Sequence, residues 1–406
     1  MTATDTVPQR VLAARTGVAL AFGVKGFVVA TWFARLPAAR DALGLSPGQL
    51  GVLLLALSGG SVLALLSSGV LIHRFGPVRT ATAGAWLGTA ALALAGLSAG
   101  VWAAPVPAAI ALFVFGYGLG IWDVSLNVEG AAVERRLGRT IMPRFHAAWS
   151  LGTVVGAGIG AVCARAGLPI AIHFAVAAAV VLAATLRLVR TFLTGAPEPD
   201  RPRSGGVLAA WRDRRTLLVG LLVLVMAFAE GTANDWLAVA SVDGYGVGEA
   251  AGAVTFGVFV AAMTAGRAFG TVALDRWGRV PVLAGSILVA TAGTALTVFG
   301  GSWLVALVGV ALWGLGAALG FPVGMSAAAD DERHAAARVS VVAAIGYTAF
   351  LAGPPVVGLL GDQTGTLHAL LVVPILLLPA LALVPATSRR SCTCHAQIPD
   401  LEPDKC

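Results

Sequence analysis

Lys25, Asp123 and Glu230 stand inside long apolar stretches of the chain. An ionisable side chain surrounded by hydrocarbon is costly, and it is retained where it faces a cavity, a partner or a path for ions. Asp123 has Asn127 one helical turn further on, and Gly116, Gly120 and Gly130 fall on the same helical face. Glycines on such a face let a backbone or a ligand come close. Burial raises a carboxyl pKa towards neutrality, which suits Asp123 to carrying a proton. The alternative is a structural acid, paired with Lys25 or hydrogen-bonded within its own half. Lys25 lies about midway along its run. It either compensates Asp123 or binds an anion, or it snorkels to an interface. Glu230 and Asn234 are four residues apart and share a face, a further candidate for solute or proton binding. His146 opens a later run and is a candidate proton shuttle, or else a hydrogen-bonded structural residue. Trp32, Trp122, Trp149, Trp236 and Trp313 offer flat surfaces for a sugar or planar solute, or belong to headgroup-level belts. Cys392, Cys394, His395 and Cys406 match no strong zinc spacing, so no metal or cofactor is expected.

The elements that position these residues follow from composition. The 406 residues are 58% hydrophobic and 12% charged, against about 25% charged in soluble domains. Twelve apolar runs, near 12–34, 48–72, 78–101, 105–130, 142–165, 168–190, 215–240, 249–274, 279–299, 302–328, 337–360 and 366–386, reach or approach the ~20 residues that cross a ~30 Å hydrocarbon core. They lack the alternation of a barrel strand, so they read as helices. The net charge of +7 is spread in short clusters between runs, which is membrane topology and not a nucleic-acid patch. Only Arg35, Arg40 and Arg165 fall on the side opposite the other loop arginines. The positive-inside rule therefore puts both termini in the cytoplasm of a multi-pass inner-membrane protein. Lysine occurs only at 25 and 405, and Ala, Gly and Val abound, which suggests a bacterial source. The short polar start reads as a retained first helix without a cleaved leader.

A polar stretch with Pro197, Pro199, Pro202, Gly205 and Gly206 has linker chemistry. It divides the chain into an N-terminal six-helix bundle (1–193), a cytoplasmic linker (194–214), a second six-helix bundle (215–386) and a disordered tail (387–406). The two sets are weak repeats. Gly69-Val-Leu-Ile-His73-Arg74-Phe-Gly76-Pro-Val-Arg79 follows the second run, and Thr271-Val-Ala-Leu-Asp275-Arg276-Trp-Gly278-Arg279 follows the eighth. These turns resemble the G-x-x-x-D-R-x-G-R loop of the major facilitator superfamily, with His73 and Thr271 departing from the pattern. Gly116 to Asn127, with Phe145-His146-Ala147, Trp32 to Pro37 and Glu230 to Trp236, is similar to the fucose permease-like and YbjJ-type branch. Phe33 stands where the fucose permease has a first-helix Asp, so its sugar specificity does not transfer.

The resemblance implies an all-α fold of two six-helix pseudo-repeats, with helices one, four, seven and ten around a central cavity and Trp313 as the tenth helix's contribution. It implies that Arg74, Arg267, Asp275 and Arg276 belong to an inner gate. Arg35 is expected to meet Asp235 across the halves as an outer gate. The chain then reads as a proton-coupled secondary transporter, monomeric, whose partners are a small solute, protons and the lipid bilayer. A small polar solute such as a sugar is the first expectation, and proton-driven export of hydrophobic or cationic compounds the alternative. The chain lacks a G-x-x-x-x-G-K-[ST] phosphate loop for direct ATP drive, and isolated His146 is no enzyme site.

Overall fold

A computed structural model describes residues 9–138, 141–193, 207–331 and 334–388. Most of the linker and nearly all of the tail, with its three cysteines, lie outside the described residues. Twelve helices are long and apolar enough to span a membrane: span 1 Gln9–Ala34, span 2 Pro47–Phe75, span 3 Pro77–Gly100, span 4 Pro105–Leu137, span 5 Met142–Arg165, span 6 Ile170–Thr191, span 7 Arg214–Tyr245, span 8 Glu249–Trp277, span 9 Arg279–Phe299, span 10 Trp303–Ala328, span 11 Ala337–Thr364 and span 12 Thr366–Thr387. Spans 4 and 7 run several residues beyond their apolar stretches. Each stops at a left-handed glycine, Gly138 (φ 63°) and Gly246 (φ 64°). Polar residues extend a helix past the bilayer edge until such a cap ends it.

The six-helix repeat is visible in the backbone. Gly76 (φ 80°) turns the chain between spans 2 and 3, and Gly278 (φ 77°) does the same between spans 8 and 9. The residue pair before each turn is an arginine over an aromatic ring, Arg74 on Phe75 at 5.4 Å and Arg276 on Trp277 at 5.6 Å. Close backbone seams recur as well. Spans 3 and 4 meet at Gly84, Gly88 and Gly118, and spans 9 and 10 at Gly293 and Gly309. Lipid offers no hydrophobic drive for helix association, so small residues that let backbones touch supply the packing energy.

Span 5 lies along span 1 through the same device. A Cβ on Gly152 would overlap the Gly23 carbonyl, one on Gly156 would sit 2.6 Å from the Phe27 carbonyl oxygen, and one on Gly160 would sit 2.6 Å from the Ala34 Cβ. Gly158, on the other face, has nothing within 4 Å. Overpacking costs roughly 1–3 kcal/mol. We therefore expect Gly152→Val to lower the melting temperature in detergent clearly, and Gly158→Val to leave it within error of the parent protein.

The halves touch along spans 2 and 11 and along spans 5 and 8. The tightest contacts lie towards the end of the bundle away from the termini, hereafter the far end. Gly51 would place a Cβ 2.5 Å from the Pro354 carbonyl oxygen, and Gly358 would place one 2.6 Å from that of Pro47.

Candidate functional site

Each half carries an ion pair between spans well inside its apolar stretches. In the first half Lys25 Nζ donates to Asp123 Oδ1 at 2.6 Å, joining spans 1 and 4. Asn127 Nδ2 donates to the Asp123 carbonyl oxygen at 2.9 Å and stands 3.4 Å from Oδ2. In the second half Arg267 Nη2 reaches both Glu230 carboxylate oxygens, at 3.0 and 3.1 Å, joining spans 7 and 8. Arg267 Nε also donates to the Ala318 carbonyl at 3.3 Å. That carbonyl is available because span 10 breaks there. Its helix stops at Ala317 and resumes at Gly320, and Pro322 has no N–H to bond the carbonyl four residues earlier.

The two pairs share one space. His146 lies within electrostatic reach of Asp123, Lys25 and, across the halves, Arg267. Its ring stands 5.2 Å from that of Phe22. Tyr347 of span 11 lies within electrostatic reach of Asp123. It is 36% exposed and stands between Phe321 and Phe350, at 6.1 and 6.3 Å. Asn234 is half-buried one turn beyond Glu230. Lys25, Asp123, Asn127, His146 and Glu230 therefore stand in two hydrogen-bonded or electrostatically linked sets around this space.

Several expectations need correction. Arg267, expected at an inner gate, is engaged in the second ion pair about three turns, or ~15 Å, before the end of span 8. Trp313 is fully buried, edge-on to Phe259 at 5.9 Å, and offers no surface to a solute. Trp32, Trp122 and Trp236 are equally buried. The aromatic surface at the site comes instead from Tyr347, one of only three tyrosines in the chain. Among the described residues Arg35 does not pair with Asp235. Its Nη2 donates to the Leu168 carbonyl at 3.0 Å and lies 3.7 Å from Glu249.

Besides Arg35, the ties across the halves at the far end come from residues not anticipated as gates. Pro37 starts a short helix, Leu36–Leu43, that buries Leu36, Ala39 and Leu43 and ends at a left-handed Gly44. It aims Arg40 at Asp243 of the other half, 2.5 Å away. Ser46 and Gln49 then form a reciprocal cap that opens span 2, and the Gly48 N–H donates to Asp362 Oδ1 at 3.0 Å. Asp243 also accepts from Thr366 at 2.9 Å. At the termini end, no ion pair or side-chain hydrogen bond joins the halves among the described residues. Arg74, Asp275 and Arg276 are exposed there.

Glu129 was also missed, because it lies in the last apolar turn of span 4, where charges are ordinary. It is buried and accepts the Leu193 N–H. Asp330 binds Arg215 at 2.8 Å and Arg279 at 2.8 and 2.9 Å, tying the starts of spans 7 and 9 to the end of span 10. Burial works to raise its pKa, but the bonds from Arg215 and Arg279 outweigh that and hold the carboxyl below its ordinary value.

The family model for the Major Facilitator Superfamily matches residues 17–330 and 244–391. The chain belongs to that superfamily. It is 34% identical over 364 residues to an uncharacterized transporter of Sinorhizobium fredii, covering 87% of this chain and 93% of the relative. The fold is similar to that of the nucleoside transporter NupG, with TM-score 0.69, 14% identity and 92% and 98% of the two chains covered. It is also similar to the E. coli fucose:proton symporter, with TM-score 0.63, 16% identity and coverage of 92% and 98%. The protein is thus a multi-pass membrane transporter of this superfamily.

Two outcomes follow. Lys25→Met and Asp123→Asn should each destabilise the protein. The double variant should lose less than the sum, with a coupling of about 0.5–3 kcal/mol in a double-mutant thermal cycle. For Asp330 the folded pKa lies below the unfolded value of about 3.9. Its stabilisation is complete above that value and is lost as pH falls through the folded pKa. Asp330→Asn should therefore lower the melting temperature at pH 7, and the difference from the parent protein should shrink as the pH falls below about 4.

Proposed function

We propose that this protein moves a small polar solute across the bacterial cytoplasmic membrane by alternating access, coupled to protons, as a monomer with both termini in the cytoplasm. The observation that carries the reading is the one-sided tie between the halves. Arg40–Asp243, Gly48–Asp362 and Arg35–Glu249 all bridge them at the far end, while the paired charges lie in a space between them. Among the described residues the polar ties between the halves lie at one end, which is what a rocking carrier presents when its cytoplasmic side is open. Arg74, Asp275 and Arg276 are then the charges expected to pair across the cytoplasmic side in the opposite state. Two such states need similar free energies, biased by solute and protonation.

Asp123 is the leading proton carrier. Protonation would weaken its hold on Lys25 and change the charge of the shared space. Glu230 and His146 are further titratable groups there. The expected sugar falls within the polar class, and the nucleosides and fucose that the structural neighbours are named for support that class without choosing within it.

Proteoliposomes containing the purified protein would be tested with labelled hexoses, polyols, amino acids and nucleosides. At least one solute should accumulate under an imposed proton gradient, and a protonophore should reduce it to equilibration. Asp123→Asn should retain exchange at best. Accumulation that ignores the protonophore would remove the coupling, and no movement of any solute would remove the reading itself. At the far end, Arg40→Asp should lengthen the spin-label distance between cysteines placed at Ala42 and Gly248. Combining it with Asp243→Arg should restore the shorter distance. A double reversal as open as the single one would reject the latch.

A further inference from the structure

We propose that the solute is a zwitterion, held with its cationic group at Asp123 and its anionic group at Arg267. This rests on reading the space between the halves as the solute site. The two ion pairs are not presented to it symmetrically. In the first half the acid faces outward: the Asp123 side chain is 40% exposed and Lys25 only 10%. In the second half the base faces outward: Arg267 is 30% exposed and Glu230 only 14%. The space therefore has a negative pole on span 4 and a positive pole on span 8, each backed by its counter-ion.

Hydrogen-bonding capacity points the same way. Lys25 occupies Asp123 Oδ1, while Oδ2 has only the 3.4 Å approach of Asn127. Glu230 occupies Arg267 Nη2 and Ala318 occupies Nε. Arg267 Nη1 makes no hydrogen bond among the described residues and is not closed off from solvent. A ligand ammonium can take Oδ2 and a ligand carboxylate can take Nη1 without breaking either resident pair. The four charges sum to zero, so a ligand of net zero charge keeps the site neutral when it binds. A solute with a single charge would satisfy one pole and leave an unbalanced charge in a low-dielectric space, which is costly. A neutral polyol would bring no opposite charge to the open Asp123 Oδ2 and Arg267 Nη1. Tyr347 adds an exposed aromatic ring within electrostatic reach of Asp123, suited to the face of the cationic group.

The test uses the full-length protein in detergent and a matched panel. The panel contains ω-amino acids from glycine to 6-aminohexanoate, their primary amides as cations, their N-acetyl forms as anions, and glucose and inositol as neutral polyols. Thermal stabilisation and isothermal titration should find one or more ω-amino acids binding at least tenfold tighter than its amide and its N-acetyl form. The length optimum would measure the separation of the poles. Asp123→Asn should narrow the preference over the N-acetyl form, and Arg267→Gln the preference over the amide. If a polyol binds as tightly as the best zwitterion, if amide or N-acetyl forms bind within threefold of it, or if no zwitterion binds folded wild-type protein, the proposal is overturned. Zwitterion binding without counterflow in proteoliposomes would instead sink the transport reading and leave the binding site standing.

Discussion

An ionised side chain in hydrocarbon must find its opposite before the helix carrying it can settle. That constraint organises the interior of this protein. Lys25 fixes span 1 against span 4, and Arg267 fixes span 7 against span 8. The break in span 10 is tied to the same requirement. Pro322 removes one backbone donor, and the carbonyl so released becomes a second anchor for the guanidinium. Charge pairing thus sets which helices face the central space, and glycine seams set how closely the remaining helices stand behind them.

The two kinds of contact divide the work. Glycine seams join spans 1 and 5, spans 3 and 4 and spans 9 and 10 by backbone contact. They hold the helices of each half close together. Across the halves at the far end, the close approaches of Gly51 and Gly358 are joined by polar ties: Arg40 of the short helix to Asp243, the Gly48 N–H to Asp362 and the Arg35 guanidinium near Glu249. Such bonds are individually weak where water reaches them.

The fold was readable in the sequence because hydrocarbon thickness, the arginine clusters and the paired Gly76 and Gly278 turns are one-dimensional signals. Lys25, Asp123 and Glu230 were equally visible as ions in apolar runs. The partner of Arg267 was not legible, because its place near a basic turn suggested a loop function, whereas that partner stands 37 positions earlier on another helix. Trp313 was misread because composition does not reveal which face of a helix is turned to its neighbours. Asp243 and Asp362 were invisible for a further reason. They are ordinary polar residues near helix ends, and only the meeting of the two halves gives them partners.

Span 11 carries Pro354 and Pro355 within its length, at the height where it touches Gly51 of span 2. Two successive rungs of its hydrogen-bond ladder are missing there, because proline supplies no N–H. The helix can change its bend at that joint without first breaking bonds it never made. The segment closest to the opposite half thus works as an articulated finger, able to follow its neighbour through a tilt that a continuous rod would resist.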